Sequence, residues 1–384
     1  MKNIFLANSL KEVPEIIFDV FFELEKRERF FYLLSSRPNF FDRFKANWGR
    51  AKKMYFGPEP VNYFYSLLFL LLLPFLCGFY FFALLPLRYK KGVREIICLG
   101  WNEKIIFSFL APIFRIKMIW LELPDNNYRK KSSLFLFFYR ACIRRAEVVV
   151  FSSLSESTFR NLKFSPKKII KIIPGLKLNQ AGCQENIFSS LAKAEQSNFS
   201  KKYFTVGVIT DFLPPNQIEN LFQAAKICLT VIPNLQLIVV GETDGVASRD
   251  GQEKKLGWLA KKIGISNLVW FVRDQKNLKK WLEAFDVFVV VDESSKMSNL
   301  NVVLKVMNSK LPIVGFSDCG LDDIVLEKKT GILVVANNNE TLALAIMELY
   351  NNKRLRSSLG ENAKEAVEKK FNLNEMVVQI ETII

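Results

Sequence analysis

The sequence contains no histidine. That excludes an imidazole general base, a histidine-ligated metal and every triad built on Ser/His/Asp or Cys/His. Acid–base chemistry falls to carboxylates, Lys, Tyr or a phosphate carried by the substrate. Cysteine is sparse: Cys77, Cys98, Cys142, Cys183, Cys228 and Cys319 show no metal-ligand or redox spacing. They read as reduced core thiols of a cytosolic compartment. Negative charge is scarce in the first half, where residues 1–180 hold 30 Lys and Arg against 14 Asp and Glu. Residues 181–384 hold 24 of each, so the net charge of +16 sits entirely in the first half. Such a field attracts anionic lipid or nucleic acid. Aromatic-plus-basic RNA-recognition motifs are absent, so nucleic acid is not an expected partner.

What the chain has in excess is apolar residues, 50% of the total, with 35 Phe. Residues 63–87 (YFYSLLFLLLLPFLCGFYFFALLPL) carry no charge. Lys52 and Lys53 precede them; Arg88, Lys90, Lys91 and Arg94 follow. The length suits one bilayer crossing. A crossing would, however, put strands before and after it on opposite sides, although they belong in one sheet. Pro74 and Gly78 point to a bend. Cationic flanks at both ends suit a segment that enters and leaves on one face. The reading is therefore a re-entrant or interfacial segment. Residues 128–131 (YRKK) with Arg140, Arg144 and Arg145 form a second basic cluster. A solvated helix face and a lipid-headgroup patch both remain open for it.

The rest of the first half alternates apolar runs with helical periodicity. Strands are expected at 3–7, 29–34, 95–99, 116–121, 147–151 and 169–173, and helices at 13–26, 103–114, 132–145 and 155–162. The first run is too short and too weakly flanked for a signal peptide. Polar residues 180–201 read as a linker. In the second half, residues 284–331 give strand (287–291), polar turn, helix, strand (312–316), loop and helical turn (321–326). The helix has one apolar face at Val302, Val303, Val306 and Met307. This order favours a parallel sheet covered by helices. Ligands of such sheets sit beyond the carboxyl ends of the strands, against helix N-termini.

These residues carry a resemblance. The order strand, turn, helix, "LPIV" strand, then "GLDDIV" and "TGILV" resembles the C-terminal domain of the group 1 (family 4-like) retaining glycosyltransferases of the GT-B fold. "NLQLIVVG" at 234–241 and residues 268–289 resemble that domain's second strand and its base-binding loop, helix and strand. Residues 352–371 resemble its penultimate helix pair. "EVVVFSSLSESTFR" and "KIIKIIPGLKLN" resemble the end of the N-terminal domain. The resemblance is good over 203–372 and weaker before it. It implies an α/β fold of two Rossmann-like domains facing a cleft. These would be an acceptor domain at 1–179 holding the apolar membrane segment, a linker at 180–201 and a nucleotide-sugar domain at 202–384.

The resemblance also implies a donor site, with candidates Thr210, Gly241, Arg273, Asp274, Ser298, Asn299, Lys305 and Asp323. Thr210 would offer an amide near the phosphates, Gly241 close backbone approach, and Arg273 and Asp274 the nucleobase loop. Ser298 and Asn299 would open a helix whose free amides hold phosphate. Asp323 stands where the family often has Glu. Several positions depart from the family. Its two glutamates eight apart fall on Met297 and Lys305, its two diphosphate-binding cations on Asp211 and Asn216, and its glycine-rich first turn on "NSLKEVPE". Lys305 cannot accept the ribose protons. An Asp beside a diphosphate is repelled by about 4 kcal/mol at 4 Å and surface-like dielectric. No catalytic residue is assigned.

Two functions follow from the resemblance. One is a hexosyl-type glycosyltransferase of polysaccharide biosynthesis at the cytoplasmic face of the cell membrane. It would move sugar from a nucleotide-diphosphate donor to a lipid-linked or cell-envelope glycan, with no cofactor and no metal. The other is a non-catalytic GT-B protein, a membrane-bound partner or binding module.

Overall fold

The computed structural model describes residues 2–10, 13–36, 51–123, 133–178, 203–210, 215–241, 247–272, 278–291, 297–317, 320–335 and 338–384. The chain divides into two compact units, residues 1–174 with 373–384, and residues 175–372.

The first unit alternates strands and helices. In order these are β1 (Lys2–Asn8), α1 (Glu15–Lys26), β2 (Arg29–Ser35), β3 (Ala51–Lys53), α2 (Tyr63–Tyr89), β4 (Glu95–Cys98) and α3 (Trp101–Leu110). Then come β5 (Lys117–Glu122), α4 (Ser133–Ile143), β6 (Glu147–Val150), α5 (Ser153–Asn161) and β7 (Lys168–Lys171). The strands form one parallel sheet in the order β3-β2-β1-β4-β5-β6-β7. Its central strands are near-continuous apolar runs because helices cover both faces of such a sheet. Phe5, Ile96, Trp120 and Val148 are fully buried. Phe107 of α3 meets Phe5 edge-on at 5.4 Å and Phe56 at 6.2 Å.

Helix α2 starts at Asn62, whose side chain accepts from the Tyr65 amide at 3.0 Å, a standard N-cap. It continues unbroken through Pro74, Gly78 and Pro86. The bend expected at Pro74 and Gly78 does not divide the helix, which stays one element from Tyr63 to Tyr89. The buried side of the helix, through Ser66, Phe69, Leu73, Tyr80 and Leu84, holds it in one piece. Phe56 stacks on Tyr80 at 5.1 Å, and the Tyr80 hydroxyl donates to the Tyr55 carbonyl at 2.9 Å.

The second unit contains β8 (Phe204–Thr210), α6 (Pro215–Cys228), β9 (Leu235–Gly241), α7 (Ala247–Ile263), β10 (Val269–Val272), α8 (Leu278–Ala284), β11 (Val287–Val290) and α9 (Met297–Asn308). It continues with β12 (Ile313–Phe316), a 3-10 turn (Leu321–Asp323), β13 (Gly331–Val334), α10 (Asn339–Asn351) and α11 (Lys353–Lys369). Its parallel sheet runs β10-β9-β8-β11-β12-β13. Residues 352–371, expected as a helix pair, form the single helix α11. Its partner is α10, and Asn352 at the join caps α11 through the Leu355 amide at 2.9 Å.

The last helix, α12 (Leu373–Glu381), belongs to the first unit, although the sequence reading placed it in the second. Arg27 bonds Glu381 at 3.1 Å and also reaches Asn374, while Arg29 reaches Glu381 at 3.4 Å. These partners lie more than 340 positions apart in the chain, so local pattern carries no trace of them. The 180–201 linker lies outside the described residues.

Candidate functional site

The second sheet has the strand order of a doubly wound fold. From β8 the chain winds outward to β9 and β10, then returns to place β11 on the other side of β8. Helices after β8 and β11 therefore depart to opposite faces and leave a crevice beyond the strand ends. Thr210 ends β8 and Gly241 ends β9, and the two are register partners. Helix α9 follows β11 and begins Met297-Ser298-Asn299, so its first amides lie at this edge without intrahelical partners. Asp323 follows β12 in a turn entered through Gly320 at φ 72, and its side chain is half-buried. The structure thus brings Thr210, Gly241, Ser298, Asn299 and Asp323 to one edge of one sheet.

Lys305 is different. It is exposed in the last turn of α9, seven residues past Ser298. At 1.5 Å per residue that is about 10 Å further along the axis. Arg273 and Asp274 lie outside the described residues.

Below the strand ends, β8 is packed closely against the segment that leads into β11. Gly207 of β8 lies against Phe285, whose ring would stand 2.1 Å from any Cβ placed there. Half-buried Asp286 accepts from the Thr205 amide at 2.9 Å, and desolvation raises its carboxyl pKa. These contacts join β8 to the approach of β11, the two strands that flank the crevice.

The first unit has a corresponding crevice between β1 and β4, and the protein fills it with its own carboxylate. Glu103, fully buried near the start of α3, accepts from the Ser9 amide at 2.9 Å, the Ser9 hydroxyl at 2.5 Å and the Gly100 amide at 2.5 Å. Burial raises the pKa of this carboxyl, while the three donors pull it back. A Cβ on Gly100 would meet Ser9 Oγ at 2.2 Å, so the clamp requires glycine there. Next to it, Asn102 donates to the carbonyls of Phe56, Gly57 and Pro58. Lys104 pairs with Glu122 at 2.5 Å, both side chains 1% exposed, and the Tyr139 hydroxyl donates to the same carboxylate. The sequence reading missed this cluster. Its legible signal was Gly100-x-x-Glu103 directly after a strand, the spacing of an N-terminal capping box.

Among the described residues, burial pushes the Cys77 and Cys142 thiols up to about 11, Cys228 to about 12 and Cys98 well above the ordinary thiol range, which disfavours their thiolates at neutral pH; Cys183 and Cys319 lie outside the described residues.

Residues 190–366 match the family described as glycosyl transferases group 1. The chain is 27% identical over 177 residues to N-acetyl-alpha-D-glucosaminyl L-malate synthase of Bacillus anthracis, covering 46% of this chain and 43% of that protein. It is 24% identical over 169 residues to the capsular polysaccharide biosynthesis glycosyltransferase CapM of Staphylococcus aureus, covering 44% and 42%. It thus spans less than half the length of these curated relatives. Among solved structures, HepE of Anabaena in complex with UDP superposes with a TM-score of 0.76 at 16% identity, covering 100% of this chain and 99% of that one. The fold is GT-B.

Proposed function

From the match of residues 190–366 to the group 1 glycosyltransferase family, we propose that this chain transfers a hexosyl unit from a nucleoside-diphosphate sugar to a lipid-linked or cell-envelope glycan. The observation that carries the reading is the edge of the second sheet, where Thr210, Gly241 and the opening amides of α9 meet at the strand-order reversal. Oriented amides at a helix N-terminus hold a diphosphate and stabilise the charge it gains as it leaves. In the transfer, the anomeric carbon–phosphate oxygen bond breaks and a bond to the acceptor hydroxyl oxygen forms. The hydroxyl proton passes to the departing diphosphate, which suits a chain without histidine. The UDP complex of HepE and the capsular-polysaccharide role in the name of CapM support this donor and acceptor class.

A specific observation favours a second reading, a GT-B protein that binds but does not transfer. Met297 and Lys305 occupy the positions of the family's two glutamates, and neither is a carboxylate. Calorimetric titration with a panel of UDP- and GDP-sugars tests the donor site. The transferase reading expects saturable heat and thermal stabilisation with one base. Silence across the panel removes it. Binding without release of nucleoside diphosphate in the presence of membrane-extracted glycolipid acceptors selects the second reading.

A further inference from the structure

Helix α2 is apolar on all sides, yet the protein covers only one of them. Ser66, Phe69, Leu73, Tyr80 and Leu84 face inward onto α3 and α4. Phe64, Leu67, Leu71, Phe75, Phe79 and Phe82 recur at three- and four-residue steps on the opposite side, and all are exposed. Phe75 is 78% exposed and Phe82 72%. Exposed Ile113, just past α3, and Phe137 of α4 add to the apolar surface on the elements packed against α2. A soluble helix turns charge toward water on its outer side; this one turns phenylalanine.

The topology fixes how such a helix meets a bilayer. Strand β3 before it and strand β4 after it belong to one sheet, separated by only β2 and β1. A crossing helix would put them on opposite sides of a hydrocarbon layer about 30 Å thick. A re-entrant hairpin needs a turn, and α2 has none over its 27 residues. We infer that α2 lies in the plane of a membrane surface, its outer phenylalanine face sunk to the headgroup–acyl boundary along its length of about 40 Å. The occupant of the face is anionic lipid rather than protein. From Lys52 to Arg94 the chain has six basic residues (Lys52, Lys53, Arg88, Lys90, Lys91 and Arg94) and one acid, Glu59. Lys52, Lys53, Lys90, Lys91 and Arg94 are exposed at the two ends of the apolar face. A second copy would bring the same cations against these and be repelled, whereas anionic headgroups attract them. The inference stands apart from the donor site.

The test is flotation of the full chain with unilamellar vesicles, either phosphatidylcholine alone or phosphatidylcholine with phosphatidylglycerol. The wild type floats with the anionic vesicles and less with the neutral ones. Phe75→Asp/Phe82→Asp, at positions too exposed to unfold the lobe, lowers partitioning by about tenfold or more, and Lys90→Glu/Lys91→Glu lowers it on anionic vesicles only. Labels at positions 64, 75 and 82 are quenched equally by shallow brominated lipid. Unchanged flotation of the Phe75/Phe82 variant overturns the inference. So does deepest quenching at position 75 with the ends on opposite sides. A wild type that is dimeric in solution, becomes monomeric on Phe75→Asp and ignores vesicles assigns the face to a second copy. Donor titration of the same variants is expected to be unchanged, which separates this failure from failure of the transferase reading.

Discussion

At the scale of single residues, buried charge decides most. Lys104 and Glu122 are held by each other, by the Leu121 carbonyl and by the Tyr139 hydroxyl. Lys104→Met removes the cation beside a buried carboxylate and is expected to cost about 3–5 kcal/mol in denaturant unfolding. Lys104→Met/Glu122→Leu/Tyr139→Phe recovers most of that loss, because it removes the two charges together with the buried hydroxyl that donates to Glu122. Glu103 behaves differently. Its folded pKa is raised, so its contribution to stability is fully present below the ordinary carboxylate range and is lost as pH rises through the folded value. The stability of wild type minus that of Glu103→Gln is therefore expected to fall as pH rises from 4 upward, read from melts at matched pH. A rising difference would show that the three donors outweigh burial. Lys305, about 10 Å from the start of α9, lies beyond the screening length of about 8 Å at physiological salt. Lys305→Glu is expected to change nucleotide affinity by less than about twofold in the same titration.

At the scale of elements, close approach sets tolerance. Helix α11 crosses the end of α9 at Gly360, where a Cβ would stand 2.0 Å from the Lys310 carbonyl. Lys310 itself sits at φ 59, the left-handed turn that ends α9. Gly360→Ala must push the helix off this turn and is expected to cost about 1–3 kcal/mol in thermal or denaturant unfolding. Little of this was readable from the chain. Runs such as EVVV and LIVV announced their strands, because a strand buried on both faces needs only apolar residues. Strand β3, three residues with two lysines, gave no such signal, and its place depends on pairing with β2. The extent of α2 was legible from its lack of charge. Its continuity was not, because Pro74 and Gly78 weaken a helix locally and only burial of the opposite face outweighs them.

At the scale of the whole molecule, each unit repeats one plan, a parallel sheet whose strand order reverses beside its first strand. The plan followed from the alternation of elements, and it places Thr210, Gly241, Ser298 and Asn299 together although they span about ninety positions. Of the clamp, the Gly100-x-x-Glu103 spacing was legible, but its closure on Ser9 was not, because Ser9 lies 94 positions from Glu103 and is individually ordinary. The two crevices differ in consequence. The first is closed by the protein's own carboxylate, and the second presents the first amides of α9, which have no intrahelical partner. Hydrogen exchange of the full chain with and without UDP compares them directly. The account predicts slowed exchange at the ends of β8 and β9, around Thr210 and Gly241, and through residues 297–300, with none around Ser9 and Gly100. Protection confined to the first unit, or none at saturating UDP, would contradict it.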